Sequence, residues 1–169
     1  MTIADNRVRH ILRERSHCPE IPFIIKPFDE LTPLELHGIL MLREEVFLRE
    51  QRCDDQEIDL LDRVSIHIFH EESPGKIGAY LRILPPDTHY PEPSLGRVAV
   101  AKELRGHSVG SLLVAMGMDA IEHYWDNRPV RISAQGHLTE FYRPFGFVTC
   151  SGLYDEAGIP HVEMLAQNW

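Results

Sequence analysis

The loop best suited to chemistry reads Arg105-Gly106-His107-Ser108-Val109-Gly110. An alternating stretch, Leu95, Arg97 and Ala99 against Gly96, Val98 and Val100, precedes it, and apolar residues at helical spacing, Leu112, Leu113, Met116 and Ala120, follow it. A strand, a glycine-bounded loop and a helix together make a place for an anion. Glycine lets the backbone approach a ligand, and a helix start leaves N–H groups unpaired at the positive end of its dipole. The same residues also spell G-x-S-x-G, the pattern of a hydrolase nucleophile elbow, with Ser108 as nucleophile. That pattern requires a strand running straight into the serine, and Lys102 to Arg105 intervene. It also requires distant acid and histidine partners, whereas Asp155 and His161, the obvious pair, stand close together in the chain. A serine hydrolase is therefore the weaker of the two readings.

The loop belongs to a wider pattern. RVAVAKELRGHSVGSLLV resembles motif A of the GCN5-related N-acetyltransferase (GNAT) superfamily, and AQGHLTEFYRPFGF resembles its motif B. With FLREQRCDDQEID upstream and DEAGIPHVEM near the end, the chain resembles the ElaA-like subgroup over most of residues 34 to 165. It departs from the family pattern at Ser108, where glycine is usual. A serine still presents its N–H, and its hydroxyl can add a phosphate contact.

The resemblance implies a single-domain α/β (α+β) fold with a mixed, mostly antiparallel sheet flanked by helices. It implies an N-acyltransferase that passes acetyl from acetyl-CoA directly to a primary amine. Main-chain groups of Val98, Ala99 and Val100 would hold the pantetheine arm and face the thioester. Backbone N–H groups of Arg105, Gly106, His107, Ser108, Val109, Gly110 and Ser111 would hold the pyrophosphate. Tyr142 matches the motif B tyrosine and is the expected general acid, since a phenol with a reference pKa of about 10 can donate to a departing thiolate. Arg143 beside it is either a CoA phosphate contact or an exposed helix residue.

The base is drawn from Glu50, Glu57, Asp59 and His137. The first three lie in an acidic run beside the implied acceptor site, and His137 begins the motif B helix. His67 and His161 are further imidazoles with the right intrinsic chemistry. The acceptor is a small-molecule or peptide amine. The competing class is an acyl-CoA-binding sensor or assembly module without turnover, which needs neither Tyr142 nor the acidic patch. Exposed edge strands in such folds suit a homodimer.

These residues must be positioned by a short list of elements. Residues 1 to 20 read as a mobile or loosely helical lead-in, and 21 to 169 as the GNAT domain. Ile21 to Phe28 is apolar and β-branched enough for a first strand. Thr32, Pro33 and Glu35 form a capping box before a helix over 33–50, whose buried stripe is Leu36, Ile39, Leu40, Val46 and Phe47. Val64 to His70 and Lys76 to Leu84 read as a hairpin turned at Pro74-Gly75. After the central strand, loop and helix come a short strand from Val130 to Ala134 and a helix from about Leu138 to Phe145, ended by Gly146. Phe147 to Leu153 and His161 to Ala166 close the sheet, joined through Asp155 to Pro160.

Composition sets the limits. A chain of 169 residues, 43% of them hydrophobic, suffices for one core and is short for two. A formal charge of −9 disfavours nucleic acid, which needs a basic face, but allows a local cationic patch from Arg97, Lys102, Arg105 and His107. No apolar run approaches membrane-spanning length, and the N-terminus lacks a signal-peptide pattern, so a cytoplasmic protein is expected. Cys18, Cys53 and Cys150 form no C-x-x-C pair, and the histidines show no ligand spacing, so free thiols and no metal are expected.

Overall fold

The computed structural model describes residues 21–53, 56–126, 128–167 and 169. The lead-in expected over residues 1 to 20, Cys18, and the acidic pair Asp54 and Asp55 lie outside the described residues. In chain order come β1 (Ile24–Pro27), α1 (Pro33–Arg43), β2 (Ile66–Ser73), β3 (Lys76–Leu84), β4 (Ser94–Val100), α2 (Val109–Trp125) and β5 (Val130–Gln135). Then follow α3 (Thr139–Tyr142), β6 (Val148–Thr149), β7 (Tyr154–Glu156) and β8 (Ile159–Ala166). The strands form one eight-stranded sheet in the order β1-β2-β3-β4-β5-β8-β6, with β7 also on β8. Every pairing is antiparallel except β4 with β5.

The sheet is covered on both faces. On one side α2 buries Leu113, Val114 and Ile121 against Leu81, Ile83, Leu95, Val130 and Ile132. Each such side chain removed from water stabilises the fold by about 1.5–3 kcal/mol. On the other side Ile39 and Leu42 of α1, with Val46 just beyond it, pack against Phe69, Ile77 and Tyr80. The capping box holds α1 at its start: Glu35 N–H donates to Thr32 Oγ1 at 3.2 Å, and Thr32 N–H donates to Glu35 Oε2 at 2.8 Å.

Three expectations are corrected. The helix over 33–50 is α-helical only to Arg43 and continues over Glu44–Glu50 with π-helical bonding. Within the α-helical part Leu42 and Arg43 are buried beside Ile39, while Leu36 and Leu40 are only half-buried. The connection over 155–160 is itself structured: β7 pairs with β8 in a hairpin turned at Ala157-Gly158, both with positive φ. The motif B helix is a single α-helical turn between two 3₁₀ turns, Gly136–Leu138 and Arg143–Phe145, and it ends as expected at Gly146, with φ 87°.

Candidate active site

The one parallel pairing makes the site. β4 and β5 are in register only at Ser94 opposite Arg131 and then part. Beyond that point the β4 edge facing β5 has no ladder partner, so its main-chain groups are left for something else. A β-bulge bends β4 at the same place: Tyr80 opposes Ala99 and Arg82 opposes Gly96, so Arg97 and Val98 together face Leu81. Arg97 takes φ 54° to do this. The gap opens into a cleft of about 450 Å³ that Val98 of β4, Gln135 of β5 and Tyr142 of α3 all line. Gln135 Nε2 donates across its mouth to Gln51 Oε1 at 3.0 Å.

Tyr142 is 7% exposed and packs edge-on to Phe141 and Phe147. Its hydroxyl makes no hydrogen bond among the described residues, although its ring lines the cleft. Burial pushes the phenol up to about 12, so it stays protonated, and a donor, throughout the neutral range.

At the far end of β4 the chain turns through a 3₁₀ segment, Lys102–Leu104, into the glycine-bounded loop. Gly106 has φ 80° and Ser108, the N-cap of α2, has φ 61°. Left-handed residues on either side of His107, just before a helix start, turn backbone N–H groups to one side, the form of an anion nest. The Ser108 side chain makes no capping bond. Lys102, Arg105 and His107 are exposed around the loop. Glu50, at the end of the π-helical turn, lies 2.8 Å from Arg105 Nη1 and 3.7 Å from Lys102 Nζ. Its carboxyl is lowered, first by the Arg105 hydrogen bond.

One wall of the cleft is the acidic segment, and it is tied down rather than solvated. Arg43, 1% exposed, donates to Glu57 Oε1 at 2.6 Å, to the Glu57 carbonyl at 2.6 Å and to Asp62 Oδ1 at 2.8 Å. Arg82 reaches Asp59 at 2.6 Å and Asp62 at 2.7 Å, and Arg97 reaches Glu57 at 2.8 Å. Burial raises the Glu57 carboxyl above its usual range, and Arg97, Arg43 and Arg82 only partly offset this. For Asp59 burial also pushes upward, but Arg82, with Arg97 and Arg43, reverses it and leaves the carboxyl lowered. His67 completes this layer, fully buried between Tyr80 Oη at 2.8 Å and the Asp62 carbonyl at 3.0 Å.

The opposite wall comes from β5, β7 and β8. Ser133 Oγ lies 2.6 Å from both Tyr154 Oη and Glu156 Oε2. His161 stacks on Tyr154, and Tyr90 and His89 close the side toward the 85–93 loop. Beneath them Arg131 binds Glu92 through two nitrogens, at 3.0 and 2.9 Å, and Glu163 at 2.9 Å.

The structure thus gathers Val98, Glu57, Asp59 and Tyr142 in one cleft and places the 105–111 loop at the end of the strand that borders it. The Ala99 side chain is buried on the far face, and the Val100 carbonyl accepts from Arg105 Nε at 2.8 Å. Three expected residues stand elsewhere. Glu50 is at the loop, His137 is exposed on the 3₁₀ turn outside the cleft lining, and Arg143 is exposed and paired with Glu140 at 2.8 Å. The elbow geometry is absent: Asp155 accepts from Gly158 N–H, His161 faces the Ile159 carbonyl, and neither meets Ser108.

The buried charges were missed, although the sequence carried a signal for them. Arg43 stands four residues after Ile39 and three before Val46, inside the apolar stripe, and Arg82 interrupts the apolar run of β3. Ser133, Tyr154 and Glu156 carried no comparable signal, because only the β7–β8 hairpin brings them together.

A parted β4–β5 edge, a bulged strand and an anion nest at the following helix are what an acyl-CoA needs: a backbone edge for the amide-bearing arm and N–H groups for the pyrophosphate. The fold and the site define an acyl-CoA-dependent acyltransferase. A family model described as an acetyltransferase (GNAT) domain matches residues 50–167. ElaA of Escherichia coli is 39% identical over 137 residues, covering 80% of this chain and 89% of that protein. A UPF0039 protein of Synechocystis sp. is 40% identical over 146 residues, covering 86% and 95%. Among solved structures, an acyl-CoA N-acyltransferase from Pseudomonas aeruginosa superposes with a TM-score of 0.81 at 38% identity, covering 86% of this chain and 99% of that one. The chain belongs to the GNAT family, with ElaA among its relatives, as its motifs led one to expect.

Proposed function

We propose that this protein transfers acetyl from acetyl-CoA to the primary amine of a small molecule or peptide in the cytoplasm. The observation that carries the reading is the parting of β4 from β5 with the unpartnered Tyr142 hydroxyl beside the opening. Val98 and Val100 offer main-chain groups along the exposed edge, and the N–H groups from Gly106 to Ser111 are the ones left for an anion at its end, the expected Arg105 N–H being taken by the Lys102 carbonyl at 3.2 Å. The cosubstrate supplies the activated acyl carbon. The protein's task is to align an amine with that carbon, stabilise the oxyanion and protonate the leaving thiolate. Tyr142 serves the last step, and its aromatic neighbours hold it without competing for its hydroxyl.

A binding module without turnover has no use for a buried phenol whose hydroxyl is left free toward the cleft, so catalysis is the better reading. Calorimetric titration of acetyl-CoA into the protein, followed by thiol release with spermidine, L-lysine and a short peptide bearing a free N-terminus, tests it. Binding with amine-dependent release supports the transferase. Binding without release for any amine favours the sensor, and absence of binding removes the CoA reading of the cleft.

A further inference from the structure

We propose that His161 is the general base of this transfer, accepting the acceptor's proton at Nε2. The proposal rests on the acyl-transfer reading of the cleft. His161 lies on β8, opposite Gln135 at the end of β5, and its 9%-exposed ring lines the cleft that Tyr142 also lines. Its Nδ1 is 2.8 Å from the Ile159 carbonyl oxygen. A carbonyl only accepts, so Nδ1 carries the hydrogen and the neutral ring keeps its lone pair on Nε2. Nε2 has no partner among the described residues.

The ring is also held in place. It stacks on Tyr154 with centroids 6.2 Å apart and planes at 29°. Ser133 has one hydroxyl hydrogen, and it donates to Glu156 Oε2 at 2.6 Å. The 2.6 Å contact with Tyr154 is therefore a bond from the phenol to Ser133 Oγ. This chain of donors, Tyr154 to Ser133 to Glu156, fixes the surface against which the imidazole lies, as a base needs if it is to stay within reach of its proton.

The other candidates are already engaged. Glu57 is bound by Arg43 and Arg97, Asp59 by Arg82, and Glu50 by Arg105, while His137 stands outside the cleft. The arginines leave Glu50 and Asp59 lowered and so poor proton acceptors; Glu57 is raised by burial, but Arg43 occupies its Oε1 and Arg97 its Oε2, which leaves neither oxygen open to an amine. Around His161 the titratable and charged groups are Tyr154 and Glu156 on β7, Tyr142 on α3 and His89 and Tyr90 in the loop before β4. Glu57, Asp59, Arg82 and Arg97 face it from the opposite wall.

The step balances. The amine nitrogen forms a bond to the thioester carbon, the C–S bond breaks, the nitrogen's surplus proton passes to His161 Nε2, and the thiolate takes a proton from Tyr142. His161 releases its proton to solvent and Tyr142 regains one, so the step is proton-neutral from the free amine; an acceptor that arrives as an ammonium first gives one proton to water, and that one is the net release of the turnover.

The test compares wild type with His161→Asn, which keeps a side-chain N–H for the Ile159 carbonyl, and with His161→Ala. Acetyl-CoA binding is measured by calorimetry, and thiol release is followed against pH with spermidine, L-lysine, a short free-N-terminus peptide and water as acceptors. The expected result is unchanged acetyl-CoA affinity in both variants. kcat falls by about 10²–10⁴-fold, the acidic limb of the wild-type kcat profile disappears, and added imidazole partly restores His161→Ala. A merely structural histidine would not give that rescue. In parallel, ¹⁵N spectra of labelled histidine should show the Nδ1–H tautomer at His161. A His161→Asn variant with wild-type kcat and an intact acidic limb overturns the base while leaving the transferase standing. The opposite tautomer overturns it independently of activity. Wild-type protein that binds acetyl-CoA yet releases no thiol with any acceptor overturns the transfer reading itself, and the base with it.

Discussion

Glu50 Oε2 stands 2.8 Å from Arg105 Nη1, so the cation best placed to meet a phosphate is already held by a carboxylate of the same chain. Any phosphate arriving at the loop competes with that pair. Glu50→Gln should therefore tighten acetyl-CoA binding roughly two- to fivefold, the scale of an exposed ion pair. The gain should shrink as salt is raised, because exposed charges are screened. Calorimetry at low and high ionic strength reads both. Unchanged or weaker binding would mean that Arg105 never turns to the ligand.

Tyr142→Phe keeps the ring that packs on Phe141 and Phe147 and removes only the hydroxyl. Acetyl-CoA affinity and thermal stability should stay near wild type while kcat drops by about 10²-fold or more. Because the phenol titrates at about 12, Tyr142 should add no basic limb to the wild-type rate profile below that range. A variant of unchanged kcat would move the proton donor elsewhere.

Ser108 adopts φ 61° without a side-chain capping bond to compensate. Left-handed backbone costs a residue with a Cβ about 1–2 kcal/mol, and glycine escapes most of that. Ser108→Gly should thus raise the stability by about 0.5–1 kcal/mol, seen as a Tm higher by roughly 2–4 °C. A fall in Tm would show that the hydroxyl holds the loop in some other way.

Asp59 both caps the 3₁₀ turn Leu60–Val64, accepting from Leu61 and Asp62 N–H, and binds Arg82. Asn can still cap but cannot carry the charge. The folded carboxyl is lowered, so its contribution is present above the unfolded value of about 3.9 and is lost as pH falls through the folded one. Asp59→Asn should destabilise the protein by about 1–2 kcal/mol at neutral pH, with the difference from wild type beginning to shrink near about pH 4 and lost only as pH falls through the lowered folded value. Urea titrations at pH 7, 5 and 3 would show a constant difference if the charge were irrelevant.

Arg43 is the most enclosed charge in the described structure, with Glu57 and Asp62 both bonded to it. Arg43→Ala would take one of two arginines from each of Glu57 and Asp62, which keep Arg97 and Arg82, and should cost about 3 kcal/mol, the lower end for a broken buried pair. Denaturation midpoints check this. A loss under about 1 kcal/mol would mean that water reaches the cluster readily.

Much of this was legible in the sequence, for reasons that differ by element. The Thr32–Glu35 box, the β2–β3 hairpin and the strand-loop-helix around residue 105 are local, and local chemistry alone specifies them. Tyr142 is picked out by its motif, and it lines the cleft. What stayed hidden depends on contacts far apart in the chain. Nothing near Glu57 announces that Arg43, fourteen residues earlier, will claim it, so an acidic run looked like a reservoir of free bases. The π-helical turn at 44–50 was equally invisible, because Val46 follows Ile39, Leu42 and Arg43 at the same spacing an α-helix would show. His161 seemed one imidazole among several until the β7–β8 hairpin gave it Tyr154 as a floor and Ile159 as a proton anchor.

The solitary rung between Ser94 and Arg131 has a mechanical consequence. A sheet joined in the middle by a single backbone pairing is two panels, β1–β4 and β5–β8, and its seam runs through the cleft. Arg131 stitches that seam from below, tying Glu92, just ahead of β4, to Glu163 on β8, while α2 laminates the two panels through their common apolar face. The molecule can therefore keep the open β4 edge on one panel and Tyr142 and His161 on the other without losing rigidity. A guest seated in the seam touches both panels, and its grip becomes part of what holds them together.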